Sequence, residues 1–241
     1  MAKYKIADIV VEFKQNYAET AYWYDPYLYS GEEEAAFSIE ALPQEIDYYV
    51  TNGVDITPAI AENMVLCNKF NRRLMKYYGS YIHASALLFN GKVYLFSANS
   101  GVGKSTHTKK WIDRFGDKAI VINDDKPSFR FVDDKCVIFG SPFAGGTSVQ
   151  QNLCGELGAL VFIERSEVNS LEKIPPSRSI ALLLEQSPRR PNEMMGDRQL
   201  EMYSQLLSNY PAYLLRCNME DDAVDAALGI VENWKGNCYE N

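Results

Sequence analysis

Val93-Tyr94-Leu95-Phe96-Ser97-Ala98-Asn99-Ser100-Gly101-Val102-Gly103-Lys104-Ser105-Thr106 is the most informative run in the chain. Val93–Ser97 is a β-prone segment that passes without a break into a loop of small residues. A helical stretch follows from Lys104 to Phe115 and stops at Gly116. Ala98 to Ser105 fits the phosphate-loop pattern, with Ala98 in place of the first glycine. Small residues let successive backbone N–H groups turn inward around phosphate oxygens, and the helix behind presents its positive end. In such a loop Lys104 reaches the β- and γ-phosphates and the Ser105 hydroxyl ligates Mg²⁺. The expected nucleotide contacts are Asn99, Ser100, Gly101, Val102, Gly103, Lys104, Ser105 and Thr106.

Working outward, Ala84–Phe89 precedes the loop strand across Asn90-Gly91, the strongest short signal for a tight hairpin turn. An antiparallel hairpin therefore feeds the loop, whereas the common P-loop fold reaches it through parallel βαβ crossovers. Downstream, Lys118–Ile122 reads as a short buried strand closing on Asn123-Asp124-Asp125. Asp124 lies 20 positions beyond Lys104. A helix of about 12 residues and a short turn return the chain beside the loop, where a metal-holding carboxylate must sit. Two adjacent carboxylates can divide the labour, one facing Mg²⁺ and the other accepting a proton. His83 stands 21 positions before Lys104, at the start of the hairpin. His107, on the loop helix, reads as a packing or hydrogen-bonding residue.

Other parts of the sequence set the frame. The chain has 241 residues with 24 Lys and Arg against 32 Asp and Glu, a formal net charge of −8. A long nucleic acid is an unfavourable partner for such a surface, because its affinity comes from many cationic contacts to phosphate. Hydrophobic residues make up 46%, enough for a packed core. No apolar run nears the roughly 20 residues of a membrane span. The opening residues lack the apolar core of a signal peptide, and the five cysteines show no CxxC pairing. The expectation is a cytoplasmic protein with no membrane partner and reduced, mostly buried thiols.

Residues 1–56 read as a β-rich segment, with strands at Ile6–Phe13, Ala35–Ile39 and Tyr48–Thr51. Residues 57–241 read as the catalytic domain. It opens with a helix that Thr57 caps, Pro58 starts and Gly79 ends. A second hairpin is expected around Asp133-Asp134, then a buried strand at Ala159–Ile163. Helix Ile180–Gln186, helix Gln199–Ser208, strand Ala212–Arg216 and helix Asp222–Trp234 complete the pattern. The tyrosines and tryptophan between Tyr17 and Tyr29 read as edge packing.

Together, His83-Ala84-Ser85, SGVGKST, NDD and GSP resemble the HPr kinase/phosphorylase family and its HPr-kinase-like branch, over residues 80–165. The resemblance implies an α/β fold, leaning to α+β. Its mixed, largely antiparallel sheet would carry a P-loop similar to the phosphoenolpyruvate carboxykinase core. It implies that His83 lies near the transferred phosphate, that Asp124 is the general base, and that Asp125 joins Ser105 at Mg²⁺. It also implies ATP as co-substrate, and as acceptor a hydroxyl, foremost a serine, on a small protein, peptide or small molecule. A homo-oligomer is part of the same expectation. Some members of the branch phosphorylate peptide natural products. The chain departs from HPr kinases in lacking their Glu-Ile-Arg-Gly-Leu-Gly-type segment, of which Glu156-Leu157-Gly158 is a remnant at best. Its first 80 residues also differ, so HPr itself is not the expected substrate. Arg130, Arg165, Arg189 and Arg190 are candidates to clamp the γ-phosphate, and residues 188–191 a candidate lid. Two alternatives remain open on sequence: a nucleotide-responsive binding module with little turnover, and carboxykinase-like chemistry on a small acid.

Overall fold

The computed structural model describes residues 2–144, 149–188 and 193–231. The N-terminal part holds β1 (Ala2–Ile6), β2 (Ile9–Lys14), α1 (Ala18–Tyr24), β3 (Phe37–Glu40), α2 (Pro43–Asn52) and α3 (Pro58–Leu74). Then come β4 (Gly79–Tyr81), β5 (Ala84–Phe89), β6 (Lys92–Ser97), α4 (Lys104–Phe115), β7 (Ala119–Asn123), β8 (Ser128–Val132) and β9 (Lys135–Phe139). The chain continues with β10 (Cys154–Arg165), β11 (Ser170–Lys173), α5 (Pro176–Glu185), α6 (Glu193–Asn209), β12 (Ala212–Cys217) and α7 (Ala223–Ala227).

The main sheet runs β4-β8-β9-β10-β6-β5-β7, with β12 on β10 and β11 on β12. Most of its pairings are antiparallel, while β6 and β12 both lie parallel to β10. This is a mixed, largely antiparallel α/β arrangement. The hairpin β5–β6 forms because Asn90 and Gly91 both take left-handed φ, 51° and 78°, matching the twist of the strands. Asp133 and Asp134 turn β8 into β9 in the same way, at φ 48° and 62°. β10 is longer than the sequence pattern indicated. Its first residues pair antiparallel with β9, and the rest joins the parallel core beside β6 and β12.

Alternation along the central strands divides the core into two layers. Val93, Leu95, Leu160 and Phe162 face a cluster that includes Leu183 of α5 and Met202 and Leu206 of α6. Tyr94, Phe96, Val161 and Ile163 face the opposite cluster, built around Trp111 of α4 and Val224 of α7. A third cluster joins β1–β3 to α3 through Phe13, Tyr24, Leu66 and Phe70, and reaches Phe139 and Phe143 of the core.

Four expectations need correction. Ile6–Phe13 is not one strand, because Ala7 and Asp8 take φ 51° and 58° and turn β1 into β2. Tyr48–Thr51 belongs to α2, which Pro43 starts and Glu45 caps by accepting from the Leu42 amide at 2.8 Å. Gly79 does not end α3. Tyr78 takes the left-handed position at φ 53° after a 3₁₀ turn. Gly79 opens β4, where a Cβ would stand 2.6 Å from the Phe129 carbonyl oxygen. Finally, the last helix holds only Ala223–Ala227, followed by a 3₁₀ turn to Ile230. Residues 232–234 lie outside the described residues. The aromatic tract splits: Tyr24 and Tyr27 are fully buried, while Tyr22 is exposed. Cys67, Cys136 and Cys217 are buried free thiols, Cys154 is exposed, and Cys238 lies outside the described residues.

Candidate functional site

β6 delivers the loop and α4 continues from it. Gly101 and Gly103 take φ 78° and 124°, which only glycine adopts without strain, and Gly103 is the N-cap of α4. Lys104 is buried and donates from Nζ to the Ala98 carbonyl at 2.9 Å. Its ammonium carries three donors, so the others remain for a ligand. Burial pushes the Lys104 pKa down, while Asp125 and Asp124 pull it back up. Arg165, at the end of β10, donates to the carbonyls of Val102, at 3.0 Å, and Gly101. Ser85 and Thr108 share a hydrogen bond of 3.0 Å that ties α4 to β5.

β7 ends on a turn organised by Asn123. Its Oδ1 accepts from the amides of Asp125 (3.0 Å) and Lys126 (2.8 Å), and its Nδ2 donates to the Ser141 carbonyl at 2.9 Å. The Ser141 hydroxyl donates in turn to the Lys126 carbonyl at 2.7 Å. The Asp124 amide donates to the Val149 carbonyl at 3.2 Å. This Asx-type turn holds the two carboxylates side by side.

Their surroundings differ. Asp124 is 8% exposed, and its buried Oδ1 has no hydrogen-bond partner. Asp125 is engaged on both oxygens: Oδ1 lies 3.2 Å from His83 Nε2, and Oδ2 pairs with the Lys126 ammonium. Burial alone would raise the Asp125 pKa, but the His83 hydrogen bond and the Lys126 charge outweigh it and hold the carboxyl below its ordinary value. On the other side of the ring, His83 Nδ1 meets Gln186 Oε1 at 3.2 Å.

The structure brings these groups to one cleft of about 350 Å³, lined by His83, Ser100, Gly101, Gly103, Lys104, Ser105, Thr106, Asp124, Asp125 and Ala144. Asn99 and Val102 lie on the other side of the loop, facing a second cavity of about 510 Å³ between the loop, β10 and α5. His107 stands apart. Burial lowers its pKa to about 4, and its Nε2 accepts from Trp111 Nε1 at 3.1 Å, so it is a neutral packing residue. Arg130 does not reach the cleft. Its guanidinium is bonded to the carbonyls of Ala7, at 2.8 Å, and Tyr77, at 3.3 Å. Arg189 and Arg190, and most of the candidate lid, lie outside the described residues. Sequence reading passed over Lys126 and Gln186. Lys126 sits in the same Asp-Asp-Lys run and is found by extending the motif one residue, whereas Gln186 has no local signature.

The donor set suits a hard cation carried in with a nucleotide. The Ser105 hydroxyl and the adjacent carboxylates of Asp124 and Asp125 belong to the lining of the same cleft. Among the described residues no group of three or more His, Cys, Asp or Glu forms a self-contained metal cage. Mg²⁺ with few protein ligands plus substrate phosphates matches that pattern. No helix among the described residues is long and apolar enough to cross a membrane.

No protein-family model matches the sequence, and no curated protein matches it. Among solved structures the chain is similar to the Hpr(Ser) kinase/phosphatase from Coxiella burnetii, at 15% sequence identity over 54% of this chain and 96% of that one, with a TM-score of 0.31. Overlap of that quality is a weak likeness of fold, and the residues above stand on their own geometry.

Proposed function

We propose that the chain is a phosphotransferase that moves the γ-phosphoryl group of ATP to a hydroxyl on a peptide, small protein or small molecule. The observation that carries this reading is the convergence on one cleft of Lys104 and Asp124, whose buried Oδ1 has no hydrogen-bond partner. The loop amides and Lys104 would hold the β- and γ-phosphates, and Lys104 would counter the charge that develops on the transferring group. Asp124 would orient the acceptor hydroxyl with its carboxylate and take its proton. His83 would face the phosphate from the opposite wall, held there by Asp125. Mg²⁺, when bound, neutralises the phosphate oxygens, with Ser105 as its direct ligand. Asp125 is engaged by His83 and Lys126. It would act on the metal through one of the waters that Mg²⁺ retains.

The test is transfer from γ-labelled ATP to a panel of serine-containing peptides and small alcohols, with mass spectrometry of the product. Asp124→Asn is expected to keep nucleotide affinity within about threefold and to lower transfer by roughly 10²–10⁴-fold, the usual range for a lost proton acceptor. Undiminished transfer in that variant would remove Asp124 from its role.

A further inference from the structure

Gln186 sits just past the C-terminus of α5 and is 7% exposed. It touches two segments far away in sequence. Its backbone carbonyl accepts from the His83 amide at 2.8 Å, and its Oε1 faces His83 Nδ1 at 3.2 Å. Its Nε2 donates to Asn99 Oδ1, in the phosphate loop, at 2.8 Å. His83 is held from a third direction too, because the Ser97 hydroxyl donates to its carbonyl at 2.8 Å. One amide side chain therefore joins the loop to the ring that bonds Asp125.

A primary amide is suited to this position, since it offers a donor and an acceptor at one end. With Oε1 toward the ring, His83 Nδ1 donates to it. With the Gln186 and Asn99 amides both turned over, Gln186 Nε2 donates to a bare Nδ1 and Asn99 donates to Gln186 Oε1. With Nδ1 bare, the one N–H of the neutral ring is on Nε2 and points at Asp125; with Nδ1 donating, Nε2 carries a proton toward Asp125 only in the imidazolium. A hydrophobic side chain in place of Gln186 breaks both links, and a carboxylate can accept but not donate.

We infer that Gln186 is a positioning residue that fixes the His83 ring against Asp125 and couples it to the phosphate loop through Asn99. The coupling rests on the phosphotransfer reading of this cleft. A ligand that reorders Asn99 is thereby felt at His83 through one side chain.

The sequence has only 2 histidines, which makes the test direct. The ring-nitrogen resonances of His83 are read at one fixed pH in ¹⁵N-histidine-labelled protein, and His83→Gln assigns them. MgADP is the probe, with binding followed independently by calorimetry. In free wild-type protein the His83 ring nitrogens are expected to show one fixed arrangement without tautomer averaging, and MgADP is expected to shift it. In Gln186→Leu the free spectrum should move toward tautomer averaging. The response to MgADP should disappear, while MgADP affinity stays within about threefold. Gln186→Glu, which accepts from Nδ1–H but cannot donate, should hold the ring in one arrangement with a proton on Nδ1, and guards against a misfolded Leu variant. In a transfer assay, Gln186→Leu should lower kcat by up to about 10²-fold with KM for ATP little changed, as expected for a misplaced group. An identical His83 spectrum in wild type and Gln186→Leu overturns the inference, as does a MgADP shift that survives the substitution. If wild type fails to bind MgADP, the nucleotide reading and the coupling both fall. Normal binding with an unmoved His83 removes the coupling alone.

Discussion

Asp124 and Asp125 are adjacent on one turn yet differ in every contact, and the difference can be tested. Asp124→Asn is expected to lower transfer by the same large factor at every Mg²⁺ concentration, as the proposed role toward the acceptor proton requires. Asp125→Asn is expected to lose activity that excess Mg²⁺ partly restores, because the metal is held less well without it; Mg²⁺ titrations of both variants distinguish the roles. The lowered pKa values of His107 and Asp125 also predict an acid response with two separate windows. Buried His107 is neutral, with a pKa near 4 against 6.5 in the unfolded chain. The unfolded state therefore takes up the proton first, and stability present above about pH 6.5 is lost as pH falls toward 4. The full effect is about 3 kcal/mol. Asp125 contributes stability that is present above its ordinary carboxylate pKa and lost only as pH falls through its lower folded value. In chemical denaturation, His107→Gln should flatten the window between pH 6.5 and 4 and leave the more acidic loss in place. At this scale much was legible in sequence. Lys104, Asp124 and Asp125 stood out by motif spacing and His83 through the family resemblance, and the structure places all four at one cleft. Gln186 did not, since its role exists only once α5 ends beside His83.

Elements in this fold are held by a few buried devices whose removal has a predictable sign. Glu62 is fully buried on α3, and its carboxylate accepts from the backbone amides of Asn16 (2.7 Å) and Tyr17 (3.3 Å) and from Asn16 Nδ2 (2.7 Å). It caps α1 from another helix, because Tyr17 provides no side-chain cap of its own. Glu62→Leu should cost about 3 kcal/mol or more by leaving those amides unpaired, measured by urea unfolding with Trp23 fluorescence reporting on α1. Gly103→Ala forces a side chain into a φ of 124° and should weaken nucleotide binding more than it weakens the fold, since the strain sits at the loop. Helix α4 and the two tight hairpins were readable because local signals dictate them. Helix α2 was not. Its Tyr48-Tyr49-Val50-Thr51 run favours strand by composition, and the Pro43 start with the Glu45 cap decided otherwise. Ile6–Phe13 misled for a related reason: Ala7 and Asp8 adopt left-handed φ without a glycine to announce it.

For the whole molecule, the layered core fixes where the phosphate loop begins. β6 is paired on both sides, by β5 and β10, and packed on both faces, so the loop it carries starts from a fixed point. The N-terminal segment is not an independent appendage to this core. Phe139 and Phe143 share a cluster with Phe13, Tyr24 and Phe70. Removing residues 2–56 should expose the apolar face of α3 at Ala61, Val65 and Phe70, giving a product that binds hydrophobic dyes and loses cooperative thermal unfolding. Composition indicated a packed core, the hairpin feeding the loop indicated one antiparallel pair, and the family resemblance implied the mixed, largely antiparallel sheet. The switch of β10 from β9 to the parallel core was not legible, because a strand's neighbours depend on contacts distant in sequence. The central claim is that one triphosphate spans Lys104 and Asp124. Its most direct test is a crystal structure with magnesium and a non-hydrolysable ATP analogue. The terminal phosphate is expected to be bonded to Lys104 Nζ, with the Asp124 carboxylate facing the side from which an acceptor would approach. A terminal phosphate seated away from both residues would contradict the claim.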